Sequence, residues 1–393
     1  MSAIAAVMTG KGIGAISTIQ LFGDSAKNIL KKIFIPAGAK TLELATGKIL
    51  LGTISDSTET IDQVTIGCEA ANSFAIHCHG NPLIVEMIMQ LLQRCGAKLV
   101  TAEQLLAKTL AAQKYTGTIA LEAKLAQLQT KTIEGAKIIV NQVSAGLTKK
   151  AEEWLQNIRT MSLAETASEV ELILKDSEIA RLIITGCKAA IIGPPNTGKS
   201  TLLNYLAGRE KAIVTDIKGT TRDWVSATCR IGPLSIEFID TAGLDEKLSE
   251  DSDTIEKAAQ QKSVEILEQA DLVLLVLDNS QPAEQLDKNL LEKVTRRRIL
   301  TVLNKSDLPA RFETFKLPKN LNKTEHISAK FGTGIEELIA KILQICVVAD
   351  FDLKAAVCFT DRQEKLIKKL KKAKSRQQAA LVITELLTGQ VRV

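Results

Sequence analysis

Apolar residues fall into three successive patterns along this chain, and each predicts a different kind of element. Over residues 1–113 short apolar runs alternate with turns. Ile16–Phe22, Lys48–Ile54, Gln63–Cys68 and Phe74–Cys78 read as strands, and Pro82–Cys95 carries a helical repeat. This stretch predicts a small α+β domain. Residues 114–185 are rich in Ala, Leu, Lys, Glu and Gln and hold no Pro, which favours long helices. Residues 186–347 alternate strand and helix, with strands expected at Lys188–Ile192, Ile236–Ile239, Leu272–Leu277 and Ile299–Leu303. Such alternation predicts a mainly parallel sheet.

Residues 348–393 turn helical again. Leu366, Ile367, Leu370 and Ala373 share one helical face, and Lys368, Lys369, Lys371, Lys372 and Lys374 take up most of the rest. The plain reading is the solvated side of an amphipathic helix; the sharper one is a basic surface for nucleic acid. Helical texture on both sides predicts that the strand–helix region is inserted into one helical domain. The expected fold class is therefore multidomain α/β and α: domain 1–113, a helical domain split into 114–185 and 348–393, and an inserted domain 186–347.

Composition narrows the setting. Among 393 residues, 45% are hydrophobic and 24% charged, which describes a soluble globular protein. Aromatics reach only 3%, so the cores must be built from Ile, Leu, Val and Ala. A net charge of +5 permits a nucleic-acid partner without requiring one. Seven scattered cysteines with no CxxC pair argue against a disulfide framework and fit a reducing compartment. No apolar run reaches the ~18 residues that a membrane span needs. The apolar N-terminus lacks a basic leader, so a cytoplasmic protein without a membrane partner is expected.

The chemistry concentrates at Gly193-Pro-Pro-Asn-Thr-Gly198-Lys199-Ser200, which fits G-x-x-x-x-G-K-[ST]. The run follows the apolar Ala189–Ile192 and precedes the helix-like Thr201–Ala207. Its glycines let backbone N–H groups wrap phosphates at a helix N-terminus. Lys199 can reach the β- and γ-phosphates, and the Ser200 hydroxyl can ligate Mg²⁺. Asn196, Thr197, Gly198 and Thr201 complete the expected contacts of this segment.

Four further segments follow in order. Gly219-Thr-Thr-Arg-Asp223 can supply a switch threonine for Mg²⁺. In Asp240-Thr241-Ala242-Gly243, Asp240 can hold the metal's water shell and the Gly243 N–H can meet the γ-phosphate. Asn304-Lys305-Ser-Asp307 places a carboxylate, Asp307, that can accept two N–H bonds from guanine, which adenine cannot offer. Ser328-Ala329-Lys330 can close over the base. Five such segments in this order select GTP, and hence GDP, over ATP. Leu244 occupies the place where a water-orienting Gln is often found, and it cannot orient water. Hydrolysis then requires another group, and the transition-state charge another stabiliser.

With these motifs in view, the whole chain resembles the MnmE (TrmE) family of tRNA modification GTPases. The likeness runs through Gly12-Ile-Gly, Cys78-His-Gly-Asn-Pro82, the GTP motifs and the flanking helices. It is most specific in the phosphate loop and in Thr215-Asp-Ile-Lys-Gly-Thr-Thr-Arg-Asp223. The resemblance implies a homodimer whose GTPase domains pair across K⁺. It implies Asn196 as the side-chain ligand of that ion, with Thr215, Ile217 and Thr220 completing the loop and Asp216 within the nucleotide contacts. It further implies Thr221 on Mg²⁺ and Glu256 as the glutamate that orients water, so that Glu256, Lys199 and Asn196 carry catalysis. The family acts with an FAD-containing partner, MnmG (GidA), on the wobble uridine of certain tRNAs.

Departures lie in the first domain and at the last residues. Family members carry an arginine at the position of Gln20, a longer segment before Cys78-His-Gly, and a Cys-x-Gly-Lys end where this chain has Gly389-Gln-Val-Arg-Val393. Of the positions that serve the family's formyl-tetrahydrofolate pocket, only Lys114 has a counterpart, which counts against that cofactor here. His77, Cys78 and His79 suggest a metal, but adjacent strand residues face opposite ways, so a strand end with a buried Cys78 is the expectation. Arg222 and Asp223 read as a catalytic pair or as an ion pair ordering their loop, Trp224 as packing, and Arg296–Arg298 as exposed charge. Two functions stay open: a Mg²⁺-dependent, K⁺-stimulated GTPase of tRNA modification, and a GTP-operated switch or assembly factor that has lost the one-carbon chemistry.

Overall fold

A computed structural model describes residues 2–10, 12–38, 43–57, 59–112, 117–208, 225–240, 266–285 and 298–389. The chain forms two compact units, the first reaching to Leu121 and the second running from Glu122 to Gly389.

The first unit holds β1 (Ile4–Val7), β2 (Ile16–Phe22), α1 (Ala26–Ile33), β3 (Phe34–Pro36), β4 (Ile49–Asp56), β5 (Glu59–Ala70), β6 (Ser73–His79), α2 (Pro82–Arg94), β7 (Lys98–Leu99) and α3 (Ala102–Ala112). Its sheet has the order β3-β4-β5-β6-β2-β1-β7 and is antiparallel except between β1 and β7. Alternate residues of β2 and β6, among them Ile19, Leu21, Phe74, Ile76 and Cys78, are buried in one core with Ile29 and Leu30 of α1 and Ile88 and Leu92 of α2. Each such side chain contributes roughly 1.5–3 kcal/mol by leaving water. Helix α2 starts where Pro82 stands at its first position and the Asn81 carboxamide accepts from the Leu83 N–H. The strands and helix expected here are present. Five elements, β1, α1, β3, β7 and α3, add to them.

The stretch expected as long helices resolves into α4 (Thr118–Gln127), α5 (Ile133–Ser144), α6 (Gly146–Gln156) and α7 (Leu163–Thr185). Only α7 is long. Thr132 and Ser162 cap α5 and α7 through their hydroxyls and so fix two of the breaks. There follow β8 (Cys187–Ile192), α8 (Lys199–Ala207), β9 (Val225–Ile231), β10 (Leu234–Asp240), β11 (Leu272–Asp278), β12 (Ile299–Asn304), β13 (Thr324–His326), α9 (Ile335–Ile345), α10 (Asp361–Lys371) and α11 (Arg376–Thr388). The six strands take the order β13-β12-β11-β8-β10-β9, parallel throughout except for the β9–β10 hairpin. Strands β8, β11 and β12 are almost wholly buried, as unbroken apolar runs in a parallel sheet require.

One core joins Ile138, Ile139, Leu182 and Ile183 of α5 and α7 to Ile191, Phe238, Leu274 and Leu300 of the sheet. A polar knot ties early and late helices of this unit together. The Glu122 carboxylate, 3% exposed, accepts from Arg362 (2.7 and 2.9 Å), Thr360 (3.0 Å) and Gln363 (2.7 Å).

Candidate nucleotide-binding site

The site is assembled where β8, β11 and β12 end and α8 begins. β8 delivers the chain to Gly193, whose φ is +148°. A Cβ there would stand 2.0 Å from the Val276 carbonyl oxygen, so only glycine lets the loop leave the sheet this close to β11. Gly198, with φ +89°, starts α8; a Cβ on it would lie 2.3 Å from Asn304 Nδ2. Asn196 is exposed and also left-handed, at φ +62°. The loop therefore turns sharply into the N-terminus of a helix, the setting in which backbone N–H groups bind phosphate.

Side chains already engage one another around that turn. Lys199, 5% exposed, donates from Nζ to the carbonyl oxygens of Gly193 (2.9 Å) and Pro194 (2.8 Å). Ser200 donates to Asp240 at 2.6 Å, a hydroxyl and a carboxylate of the hard oxygen chemistry that Mg²⁺ and its water shell take. The Thr197 hydroxyl donates to the Pro194 carbonyl at 3.0 Å. Thr201 is exposed on the first turn of α8.

The base side is built from the end of β12. Asn304 acts as a strut: its Nδ2 donates to the Thr197 carbonyl at 2.8 Å, and its Oδ1 accepts from the Ala329 N–H at 2.9 Å. One amide thus locks the phosphate loop to the segment expected to close over guanine. Ser328 donates to Asp307 at 2.6 Å, which fixes the carboxylate that would read the base. Lys305 is left-handed at φ +63° and pairs with Asp278 at 2.7 Å. The loop residues Asn196 to Ser200, together with Asp240, Asn304, Lys305, Asp307, Ser328 and Ala329, are thereby brought to one end of one sheet. Lys330 follows them, its ammonium over the Phe331 ring. Thr215, Asp216, Ile217, Thr220, Thr221, Thr241, Ala242, Gly243 and Glu256 lie outside the described residues, as do Leu244, Arg222, Asp223, Trp224 and Lys114.

Asp278 escaped the sequence reading. Burial by itself would push its carboxyl up. The Lys305 ammonium and the Ser280 hydroxyl and N–H outweigh burial and hold it below the usual carboxylate range. The signal was present: an acid closes the all-apolar β11, and the strand register sets it opposite Asn304.

In the first unit Gln20 donates its amide to Glu69 (2.7 Å) and Ser73 (2.9 Å), a neutral side chain beside a carboxylate at the position where the resemblance expects an arginine. His77 shares a hydrogen bond with Thr18, and His79 pairs with Asp62 at 2.6 Å. Cys78 faces the core, where burial pushes its thiol up to about 11. No cluster of three metal-ligating side chains occurs among the described residues. Nor is any described helix long and apolar enough to cross a membrane.

A phosphate-loop motif between a buried parallel strand and a helix, joined by one asparagine to the Ser328-Ala329-Lys330 segment, defines the class: a P-loop GTPase. Residues 188–305 match the family described as 50S ribosome-binding GTPase, and residues 3–104 match the one described as GTP-binding protein TrmE N-terminus. The tRNA modification GTPase MnmE of Clostridioides difficile (strain 630) is 31% identical over 377 residues, covering 86% of this chain and 80% of that protein. Its namesake in Lachnoclostridium phytofermentans is 30% identical over 397 residues, covering 92% and 86%. That of Lactobacillus helveticus is 31% identical over 408 residues, covering 94% and 86%. The chain belongs to the MnmE family of tRNA modification GTPases.

Proposed function

We propose that this GTPase turns over GTP to drive modification of the wobble uridine of tRNA, working as a homodimer with an FAD-containing partner of the MnmG type. The observation that carries the reading is the Asn304 strut, which makes one pocket of the phosphate loop and the guanine-reading loop. In that pocket the α8 N-terminus and Lys199 bind the phosphates, and Asp307 accepts from the guanine N–H groups. Ser200 and Asp240, with Thr221, would hold Mg²⁺, which neutralises phosphate charge when bound. Thr197, Thr201, Thr215, Asp216, Thr241, Ala242 and Gly243 line the nucleotide. Asn196, Thr215, Ile217 and Thr220 would hold K⁺, and Glu256 would orient the attacking water in place of the Gln that Leu244 replaces. The test is the nucleoside profile of tRNA from cells with and without the gene. Loss of the modified wobble uridine is expected on deletion, and an unchanged profile overturns the reading.

A second reading is favoured by one observation. Gln20, engaged with Glu69 and Ser73, sets a neutral amide beside a carboxylate, in keeping with a GTP-operated switch or assembly factor without one-carbon chemistry. Equilibrium dialysis with labelled formyl-tetrahydrofolate separates the two: tight binding removes the second reading.

A further inference from the structure

The excess charge of this chain is concentrated in one helical hairpin. Residues 361–376 hold eight Lys and Arg against two acids, an excess larger than the +5 of the whole protein. The two flanks of α10 differ in how that charge is handled. On the flank facing α7, Lys371 pairs with Glu171 at 2.6 Å, Lys368 pairs with Glu364, and Glu178 lines the same small cleft as Lys368. On the other flank Lys365, Lys369 and Lys372 follow at helical spacing, which sets neighbours ~6 Å apart. All three are exposed, as is Lys374 in the turn beyond, and none of the four pairs with a carboxylate among the described residues. Arg362, the remaining cation of that side, is consumed by Glu122. The turn leads directly into the N-terminus of α11, which adds partial positive charge to the same edge.

Lysines left in water at regular spacing with no acid opposite repel one another, and a polyanion relieves that repulsion. The stripe contains no aromatic residue for stacking on a base and no free arginine fork for a base edge, so it suits phosphates rather than bases. Resting on the tRNA reading given above, we propose that Lys365, Lys369, Lys372 and Lys374 form the surface on which this protein holds the phosphate backbone of its RNA, without reading its sequence.

The test compares two charge-matched variants of the full-length protein, K365Q/K369Q and K368Q/K371Q, by fluorescence anisotropy with labelled tRNA between roughly 50 and 200 mM salt. Each variant removes two positive charges. K365Q/K369Q is expected to weaken binding roughly ten- to hundredfold and to reduce the slope of log affinity against log salt by about two. K368Q/K371Q should leave both nearly unchanged, and GTP hydrolysis without RNA should be the same in all three proteins. If both variants lose affinity equally, or neither does, the stripe is overturned while the tRNA reading stands. If the parent binds no tRNA in any nucleotide state, the tRNA reading itself fails. Capture of the parent by phosphatidylcholine–phosphatidylserine vesicles in equal parts, with no RNA binding, also overturns the proposal.

Discussion

At the scale of single residues, the nucleotide pocket is a set of exchanges in which each polar group has a partner that a ligand can replace. Asp307 is held by Ser328 and is the only carboxylate of Asn304-Lys-Ser-Asp307. Asp307→Asn exchanges an acceptor for a group that also donates. Hydrogen bonds to a charged group contribute about 1.5–3 kcal/mol each, so GTP affinity should fall roughly 10²- to 10³-fold. Xanthosine triphosphate, with a carbonyl where guanine has an amino group, should bind the variant better than GTP does. Competition binding measures both, and an unchanged preference for guanine removes Asp307 from base recognition. Asp278 acts one step behind, through Lys305. Its carboxyl is depressed in the folded protein, so its ion pair adds stability above the ordinary carboxylate pKa near ~4, and that stability is lost as the pH falls through the lower folded value. Asp278→Asn should therefore be less stable than the parent at neutral pH, with the difference shrinking toward pH ~2 in thermal melts. A constant difference across that range contradicts the assignment.

At the scale of elements, the decisive contacts join segments far apart in sequence. Glu122 of α4 is buried against Arg362, Thr360 and Gln363, about 240 positions along the chain. Truncating it leaves the Arg362 guanidinium only the Glu385 and Leu386 carbonyls as partners, and breaking a buried pair costs about 3–5 kcal/mol. Glu122→Ala should lower the melting temperature by several degrees, whereas the double variant E122Q/R362M should recover part of the loss. If the double change is as harmful as the sum of its parts, the two residues act independently. This contact also shows where a sequence stops being readable. Buried apolar runs announced β8, β11 and β12, and the motifs Gly193–Ser200 and Asn304–Asp307 restrict their residue types so tightly that both segments stand out in the sequence. β9 was passed over, although Ala227, Cys229 and Ile231 alternate as a strand with one buried face should. The Glu122 knot and the Gln20–Glu69–Ser73 set carried no such restriction. Both depend on which side chains the fold brings together, and no local pattern encodes that.

For the molecule as a whole, the open question is how hydrolysis is completed when Leu244 cannot orient water. A bound K⁺ at Asn196 would place positive charge beside the leaving phosphate, where a cation is worth most in the transition state. Because the two GTPase domains are proposed to pair across that ion, their association must obey mass action and symmetry. Turnover per protomer should then rise with protein concentration in KCl and stay low and flat in NaCl, with a gap of roughly tenfold or more, a modest part of what an arginine finger supplies. Asn196→Ala should erase the preference for K⁺ without abolishing GTP binding, since the loop's backbone and Lys199 still hold the phosphates. Glu256→Ala should lower kcat with KM little changed, as the loss of a contact made only in the transition state does. Steady-state rates in the two salts, at several protein concentrations, decide the matter. Equal rates in KCl and NaCl at every concentration would leave Asn196 as an ordinary loop residue, and the charge on the leaving phosphate would have to be met from within a single copy of the chain.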